Sequence, residues 1–167
     1  MTADPPGPRG LLGGAAVTAG RVGFGMLCAI GGTLWAVLDP PDATHVVVGL
    51  VFAAGGLVIV TPLRRRLPRR LTGLAMVLAA AAGTAGGTAV EHTSLGGMFV
   101  WSMARGWPFG WLTRDGIAGD AETAYRIALA DTWSIGATSL LATLAFWSMA
   151  AMVLTLAGTL TRQAWPR

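Results

Sequence analysis

Charged side chains are scarce in this chain of 167 residues, and lysine is missing altogether. Only 12% of the residues are charged, and all twelve basic residues are arginine. A soluble domain carries about 25% charged residues, so much of this surface does not face water. The exclusive use of arginine is typical of a GC-rich bacterial genome. We therefore predict a protein of the bacterial inner membrane. Nucleic acid is not an expected partner, because the arginines cluster beside apolar runs.

Sulfur chemistry and the common catalytic motifs are missing as well. The single cysteine, Cys28, excludes an intramolecular disulfide, a CxxC redox pair and a cysteine-based zinc cluster. The chain also contains no GxSxG, HExxH or phosphate-binding glycine loop. His45, Glu91 and His92 form the candidate polar site, where haem or metal ligation is an alternative to an ordinary interfacial role. We expect no catalytic residue, no metal and no cofactor.

Long apolar runs dominate what is present, with 53% hydrophobic residues. A membrane-spanning helix needs about 20 apolar residues. The predicted spans are residues 17–38, 46–63, 71–90 and 133–160. Residues 1–10, rich in proline, are predicted to be a disordered cytoplasmic tail, and residues 11–167 a single membrane domain. The expected fold class is all-α, a polytopic four-transmembrane-helix bundle with an interfacial aromatic segment on its outer face.

The arginine-rich stretch RRRLPRR (64–70) predicts the topology. Short loops that carry arginine stay in the cytoplasm. With four spans, both termini are then cytoplasmic and residues 91–132 lie outside the plasma membrane. We expect contact of this stretch with anionic lipids as a by-product of its position. A dedicated lipid- or DNA-binding site is the alternative.

The outer segment MFVWSMARGWPFGWLTRDG (98–116) holds three of the seven tryptophans. Tryptophan prefers the headgroup level, so we predict an interfacial segment that begins as a helix over residues 98–104. A re-entrant loop and a docking patch for a partner protein are the alternatives. The predicted partner or lipid interface consists of Trp101, Arg105, Trp107, Phe109 and Trp111.

Two further helix predictions concern the segments on either side of residues 98–116. The third span carries small residues that let helices approach closely, so Gly83, Gly86 and Gly87 are predicted packing positions in the most protein-enclosed helix. Residues 119–133 predict a helix with Asp120 as its N-cap. We expect that helix to continue into the last span, because no glycine or proline interrupts it.

The expected function is non-catalytic. The small-residue faces and the aromatic segment favour an accessory or scaffold subunit of a larger membrane assembly, whose partners are the lipid bilayer and either another membrane protein or a second copy. One alternative is a small-solute or ion transporter or channel lined by threonines, namely Thr84, Thr88, Thr138 and Thr143. Another is a lipid-acting enzyme at the outer interface that uses Glu91, His92 and Arg105.

Overall fold

A computed structural model describes residues 8–38 and 43–164. The helices are α1 (Pro8–Leu38), α2 (Ala43–Val60), α3 (Arg69–Gly87), α4 (Ala121–Ala130) and α5 (Ala137–Ala164), and the strands are β1 (Glu91–Gly96), β2 (Val100–Arg105), β3 (Leu112–Ile117) and β4 (Ser134–Ile135). The chain divides into two compact units. We call them the hairpin unit (Met1–Arg69 with Met152–Arg167) and the sheet unit (Arg70–Ala151).

Three helices are long and apolar enough to cross a membrane: Ala16–Leu38 within α1, Ala43–Val60 and Ala137–Ala164. They correspond to the first, second and fourth predicted spans, with shifts of a few residues. The third predicted span corresponds to α3, which is helical but is not among the three. Two arginines begin α3 and alanine and glycine fill its second half, so its apolar content is lower. Of the predicted tail, residues 1–7 lie outside the described residues, and α1 already begins at Pro8.

In the hairpin unit, α1 and α2 pack backbone against backbone. A Cβ on Gly32 would lie 2.6 Å from the carbonyl oxygen of Gly49, and one on Gly49 would lie 2.5 Å from that of Gly32. Gly25 and Gly56 repeat this contact seven residues away on each helix. The two helices are therefore antiparallel, and small side chains let them approach closely.

The prediction that the third span is the most enclosed helix is wrong. In α3, only Thr72 and Gly87 are buried, whereas α2 buries five residues. The prediction followed glycines spaced by four residues, but the glycines that bring helices together in the hairpin unit are spaced by seven. A glycine-rich helix therefore does not indicate by itself which helix is enclosed.

The sheet unit corrects the all-α fold class, because residues 91–135 contain a four-stranded antiparallel sheet in the order β1-β2-β3-β4. The predicted interfacial segment 98–116 is not helical beyond a single 3-10 turn at its start; it forms β2, a turn and β3. Residues 100–105 alternate between side chains that fit the two faces of a sheet. Gly106 ends β2 with φ at 122°, a backbone conformation that favours glycine.

α4 lies on one face of this sheet. Asp120 caps it, as predicted, and accepts a hydrogen bond from the backbone N–H of Thr123 at 2.9 Å. The expected continuation into the last span is wrong, because α4 ends at Ala130 and the chain returns to the sheet as β4. Gly116 in β3 makes the close approach of α4 feasible, since a Cβ there would lie 2.5 Å from the backbone nitrogen of Ala128.

Candidate functional site

The two faces of the sheet differ in their environment. Trp101 and Tyr125 of α4 contact each other with ring centroids 5.0 Å apart, so the face that carries Trp101 is the one under α4. Side chains alternate along a strand, and the strand register extends this assignment to β1 and β3. The face under α4 carries Glu91, Thr93, Leu95, Trp101, Met103, Arg105, Leu112 and Arg114. The opposite face carries His92, Ser94, Ser102, Ala104, Thr113 and Asp115.

An open groove of about 580 Å³ lies between β1 and the start of α4. Its lining consists of Glu91, Thr93, Trp101, Met103, Ala121, Glu122 and Tyr125. Met103 is buried, and Trp101 is half-buried. The Nε1 atom of Trp101 is buried and has no hydrogen-bond partner in the described part of the chain. A buried indole N–H normally has an acceptor, and the indole N–H groups of Trp111 and Trp147 are likewise buried without one among the described residues.

Beside the groove, the guanidinium groups of Arg105 and Arg114 lie over the ring of Trp133, and Arg105 also pairs with the Glu91 carboxylate. Arg105 contacts Glu91 with its Nε at 2.8 Å and a terminal nitrogen at 2.7 Å from the same oxygen. The guanidinium carbons of Arg105 and Arg114 lie 4.8 and 4.5 Å from the ring centre of Trp133. Arg114 also donates to the carbonyl of Leu129 at 3.2 Å. These cation–π contacts hold the chain after α4 against the sheet.

The cap of α4 adds a titratable group near the same end of the groove. The backbone N–H of Thr123 donates to the Asp120 carboxylate, and this hydrogen bond lowers the pKa of Asp120. The Thr123 side chain lowers it further. Asp120 therefore stays ionised at neutral pH, and Glu122 stands two residues further along the chain in the first turn of α4. This end of α4 is acidic.

The turn between β2 and β3 is fixed inside the sheet unit. The ring of Trp107 lies 5.3 Å from Phe146 and 5.4 Å from Trp147, both in α5. The hydroxyl of Thr143 donates to the carbonyl of Phe109 at 3.3 Å. The backbone N–H of Gly136 donates to the carbonyl of Trp111 at 2.7 Å.

Two of the three predicted packing glycines of α3 contact this aromatic group. A Cβ on Gly83 would overlap the ring of Trp147, and one on Gly87 would lie 2.7 Å from the carbonyl oxygen of Trp107. Gly86 has no heavy atom within 4 Å of such a position. In the sheet unit, Gly83 thus makes room for the ring of Trp147, and Gly87 for the backbone of Trp107.

The five residues predicted as a partner or lipid interface therefore have contacts within the sheet unit, and all five are half-buried. Arg105 is in the ion pair, Trp101 lines the groove, and the remaining three form the turn. Their contact with lipid or with a partner stays a prediction. Such a contact would be made by the atoms of each side chain that remain exposed.

The predicted polar site is divided. Glu91 and His92 are neighbours in β1, and strand alternation places them on opposite faces of the sheet. His45 belongs to the hairpin unit, in the first turn of α2, where its ring lies 6.0 Å from that of Trp35. Within residues 8–38 and 43–164, no three His, Cys, Asp or Glu side chains are grouped as metal ligands would be.

Five groove residues were missed from the sequence: Thr93, Met103, Ala121, Glu122 and Tyr125. Their signal was the alternation in VWSMAR and the turn residues of RGWPFG, which together predict a hairpin. Because residues 98–116 are rich in tryptophan, they were interpreted as a segment at the bilayer surface. Tyr125 and Glu122 become recognisable only once α4 is known to lie on β2.

No family model, curated protein or solved structure matched this chain when it was compared with each of the three.

Proposed function

We propose that this protein is a non-catalytic accessory or scaffold subunit of a plasma-membrane assembly, and that its sheet unit binds an extended segment of a partner protein. The observation that carries the proposal is the edge strand β1, which is exposed along its whole length beside an open groove. The partner segment adds a strand to β1 and places a basic side chain in the groove.

The edge of β1 is suited to strand addition. In the order β1-β2-β3-β4, β1 pairs with β2 on one side only, and all six of its residues are exposed. Edge strands are commonly protected by proline, lysine or other charges. β1 has the sequence EHTSLG, in which the one charged residue at neutral pH stands at the first position. Its free backbone groups therefore favour pairing with an incoming strand.

The groove favours a basic side chain of the partner. Glu91 and Glu122 stand in its lining, and Arg105 already pairs with Glu91, which leaves Glu122 as the carboxylate open to a cation. Trp101 supplies an aromatic surface to the lining. An arginine or lysine stem covers such a surface while its charge meets the carboxylate.

The same proposal includes the four-span topology. α3 has 19 residues, so it is roughly 28 Å long, enough to cross the hydrocarbon core. If α3 crosses, the arginine run 64–70 and the end of α5 with Arg162 share one side, as the positive-inside rule favours. Residues 91–136 then lie outside and both termini are cytoplasmic. If α3 does not cross, the two basic segments lie on opposite sides.

The two alternative functions have weaker support. Glu91 and His92 project from opposite faces of β1, which does not favour a shared catalytic site. Thr143 is fully buried and its hydroxyl donates to carbonyls of Ser139 and Phe109, so it does not suit a water-filled path.

The binding site is tested by site-specific photo-crosslinking in the native membrane. A photoreactive amino acid at Thr93, in the groove, should give a discrete protein adduct. The control position is Asp115, an exposed residue of β3 on the opposite face of the sheet and away from the β1 edge, which should give none. Mass spectrometry should find the adduct in an extended segment that carries arginine or lysine. Glu122→Arg should reduce the adduct yield several-fold, because it replaces the available carboxylate with a repelling charge.

Equal adducts from positions 93 and 115, or adducts with lipid alone at both, would contradict binding at β1 and the groove. An adduct that Glu122→Arg leaves unchanged would contradict recognition of a basic side chain.

The topology is tested by single cysteines in a Cys28→Ser background. A membrane-impermeant maleimide added to intact spheroplasts should label a cysteine at Gly119 and leave one at Arg66 unlabelled until the membrane is opened. Labelling of both positions from the same side would show that α3 does not cross.

A further inference from the structure

A second cavity lies in the hairpin unit, where α1 meets the arginine-rich stretch. It has a volume of about 410 Å³, and its lining consists of Arg21, Ile59, Val60, Thr61, Pro62, Arg64, Arg65 and Arg69. Half of these residues are arginines. Among the described residues no acidic side chain belongs to this lining, so four arginines border one space without a carboxylate beside them.

The fold of the hairpin unit builds this pocket. Gly25 of α1 packs against Val60 at the end of α2, since a Cβ on Gly25 would lie 2.7 Å from a methyl group of Val60. Arg21 is one helical turn before Gly25, so it lies beside the point where α2 has ended. There a short 3-10 helix, Pro62–Arg66, turns the chain, and buried Leu67 anchors its end.

Two polar atoms in the pocket lining lack hydrogen bonds. The Nε of Arg21 and the hydroxyl of Thr61 are buried, and neither has a partner among the residues that the structure describes. Arg21 also lies within the apolar run Ala16–Leu38, where an uncompensated charge is costly. A buried guanidinium normally pairs with an anion that accepts its N–H groups.

We propose that this pocket binds an anionic phosphate group, either in a lipid headgroup or as free phosphate. Arginine donates in pairs to phosphate oxygens, and the Thr61 hydroxyl supplies one more donor. Basic pockets beside membrane-spanning helices suit lipid headgroups, because the acyl chains stay in the bilayer while the phosphate meets the arginines. This site is independent of the groove in the sheet unit.

The test measures thermal unfolding of the full-length protein in a neutral detergent. The probes are phosphatidylglycerol, phosphatidylcholine with the same acyl chains, and inorganic phosphate. We expect phosphatidylglycerol to raise Tm by roughly 5 °C at about 100 times its dissociation constant, because only the folded pocket binds it. Phosphatidylcholine, in which the cationic choline next to the phosphate makes the headgroup zwitterionic and is repelled by the arginines, should raise Tm by less than half as much.

Neighbouring arginines provide matched variants. Arg65→Gln removes a lining residue and Arg66→Gln removes the same charge from the next position, which is not in the lining. Both side chains are exposed, so both variants should fold. We expect Arg65→Gln and Arg21→Gln to lose most of the Tm shift and Arg66→Gln to keep it. Native mass spectrometry should show one bound phosphatidylglycerol on the protein and on Arg66→Gln, and a several-fold lower occupancy on Arg65→Gln.

The measurements with phosphatidylglycerol and with inorganic phosphate distinguish a lipid headgroup from free phosphate as the ligand. A shift with phosphatidylglycerol alone assigns the phosphate to a lipid, and an equal shift with inorganic phosphate assigns it to a free ion. Equal losses in Arg65→Gln and Arg66→Gln would overturn the proposal in favour of diffuse attraction between charges. The absence of a shift with both anionic probes would overturn it as well.

Discussion

The hairpin unit and the sheet unit both depend on glycine, but glycine has a different task in each. In the hairpin unit, Gly32 and Gly49 bring two helix backbones into contact. In the sheet unit, Gly83 makes room for the ring of Trp147, and Gly116 for the backbone of α4. The loss of stability on replacing a glycine therefore depends on whether its neighbour is a side chain or a backbone. A ring can move aside, whereas the backbone of a packed helix cannot move without separating the helices.

The largest effect is expected from Gly32→Leu in the hairpin unit. The new side chain would overlap the carbonyl of Gly49 and the backbone of Ala53, so α1 and α2 must separate. We expect a destabilisation of at least about 3 kcal/mol, at the upper end for overpacked sites. Unfolding of the purified protein in mixed micelles with increasing SDS measures it.

Gly31→Leu is the control for this substitution. Gly31 is the adjacent residue of α1 and has no heavy atom within 4 Å of its Cβ position. It should unfold at nearly the same SDS fraction as the unmodified protein. Similar losses in both variants would show that helix propensity, rather than the backbone contact, determines the effect.

A smaller effect is expected from Gly83→Leu in the sheet unit. Its side chain would displace the Trp147 ring, which also contacts Trp107 and Phe146. Because a ring can rotate, we expect a loss of about 1–3 kcal/mol. The tryptophan emission spectrum should also shift to longer wavelength as the rings become more exposed.

Gly86→Leu is the matched substitution in the same helix, where the added side chain meets no neighbour. Its spectrum and unfolding should match those of the unmodified protein. A loss at Gly86 equal to that at Gly83 would contradict the role of Trp147.

The smallest effect is expected from the cap of α4, and it depends on pH. The hydrogen bond from Thr123 lowers the pKa of Asp120 in the folded state below its unfolded value. The cap therefore stabilises α4 fully above the unfolded pKa of about 3.9, and this contribution is lost as the pH falls through the folded pKa. Asp120→Asn, which caps without titrating, should remove this dependence.

Hydrogen exchange of residues 121–130, corrected for the intrinsic rate at each pH, measures this effect. Protection should stay level above about pH 4 in the unmodified protein and fall as the pH is lowered further through the folded pKa, whereas it should stay level throughout in Asp120→Asn. Parallel loss in both proteins would assign the change to another carboxylate.

The sequence predicts the two units unequally well. Helices that are long and apolar enough to cross a membrane follow from apolar length, so the helical segments of α1, α2 and α5 were found within a few residues. The contact between α1 and α2 was missed, because many glycines are present and composition does not show which of them face a partner. Gly32 and Gly31 are indistinguishable until the rotation of α1 is known.

The sheet was missed for a different reason. Short strands have weak sequence signals, and residues 98–116 are so aromatic that a headgroup position explained them equally well. Asp120 was identified correctly because an N-cap depends only on local chain geometry. The groove required the register of β1 and β2 and the position of α4, which are long-range contacts. The sequence therefore grouped Glu91 with Arg105 in one alternative site, but it did not give the strand register that pairs them.

The position of β4 has a consequence for how the protein is made. Its two residues, Ser134 and Ile135, pair with Leu112 and Thr113 at the end of the sheet and stand immediately before α5. During synthesis, the ribosome therefore releases the last strand only when it is already producing the final apolar helix. Pairing of β4 with β3 therefore waits until the chain that becomes α5 is being made.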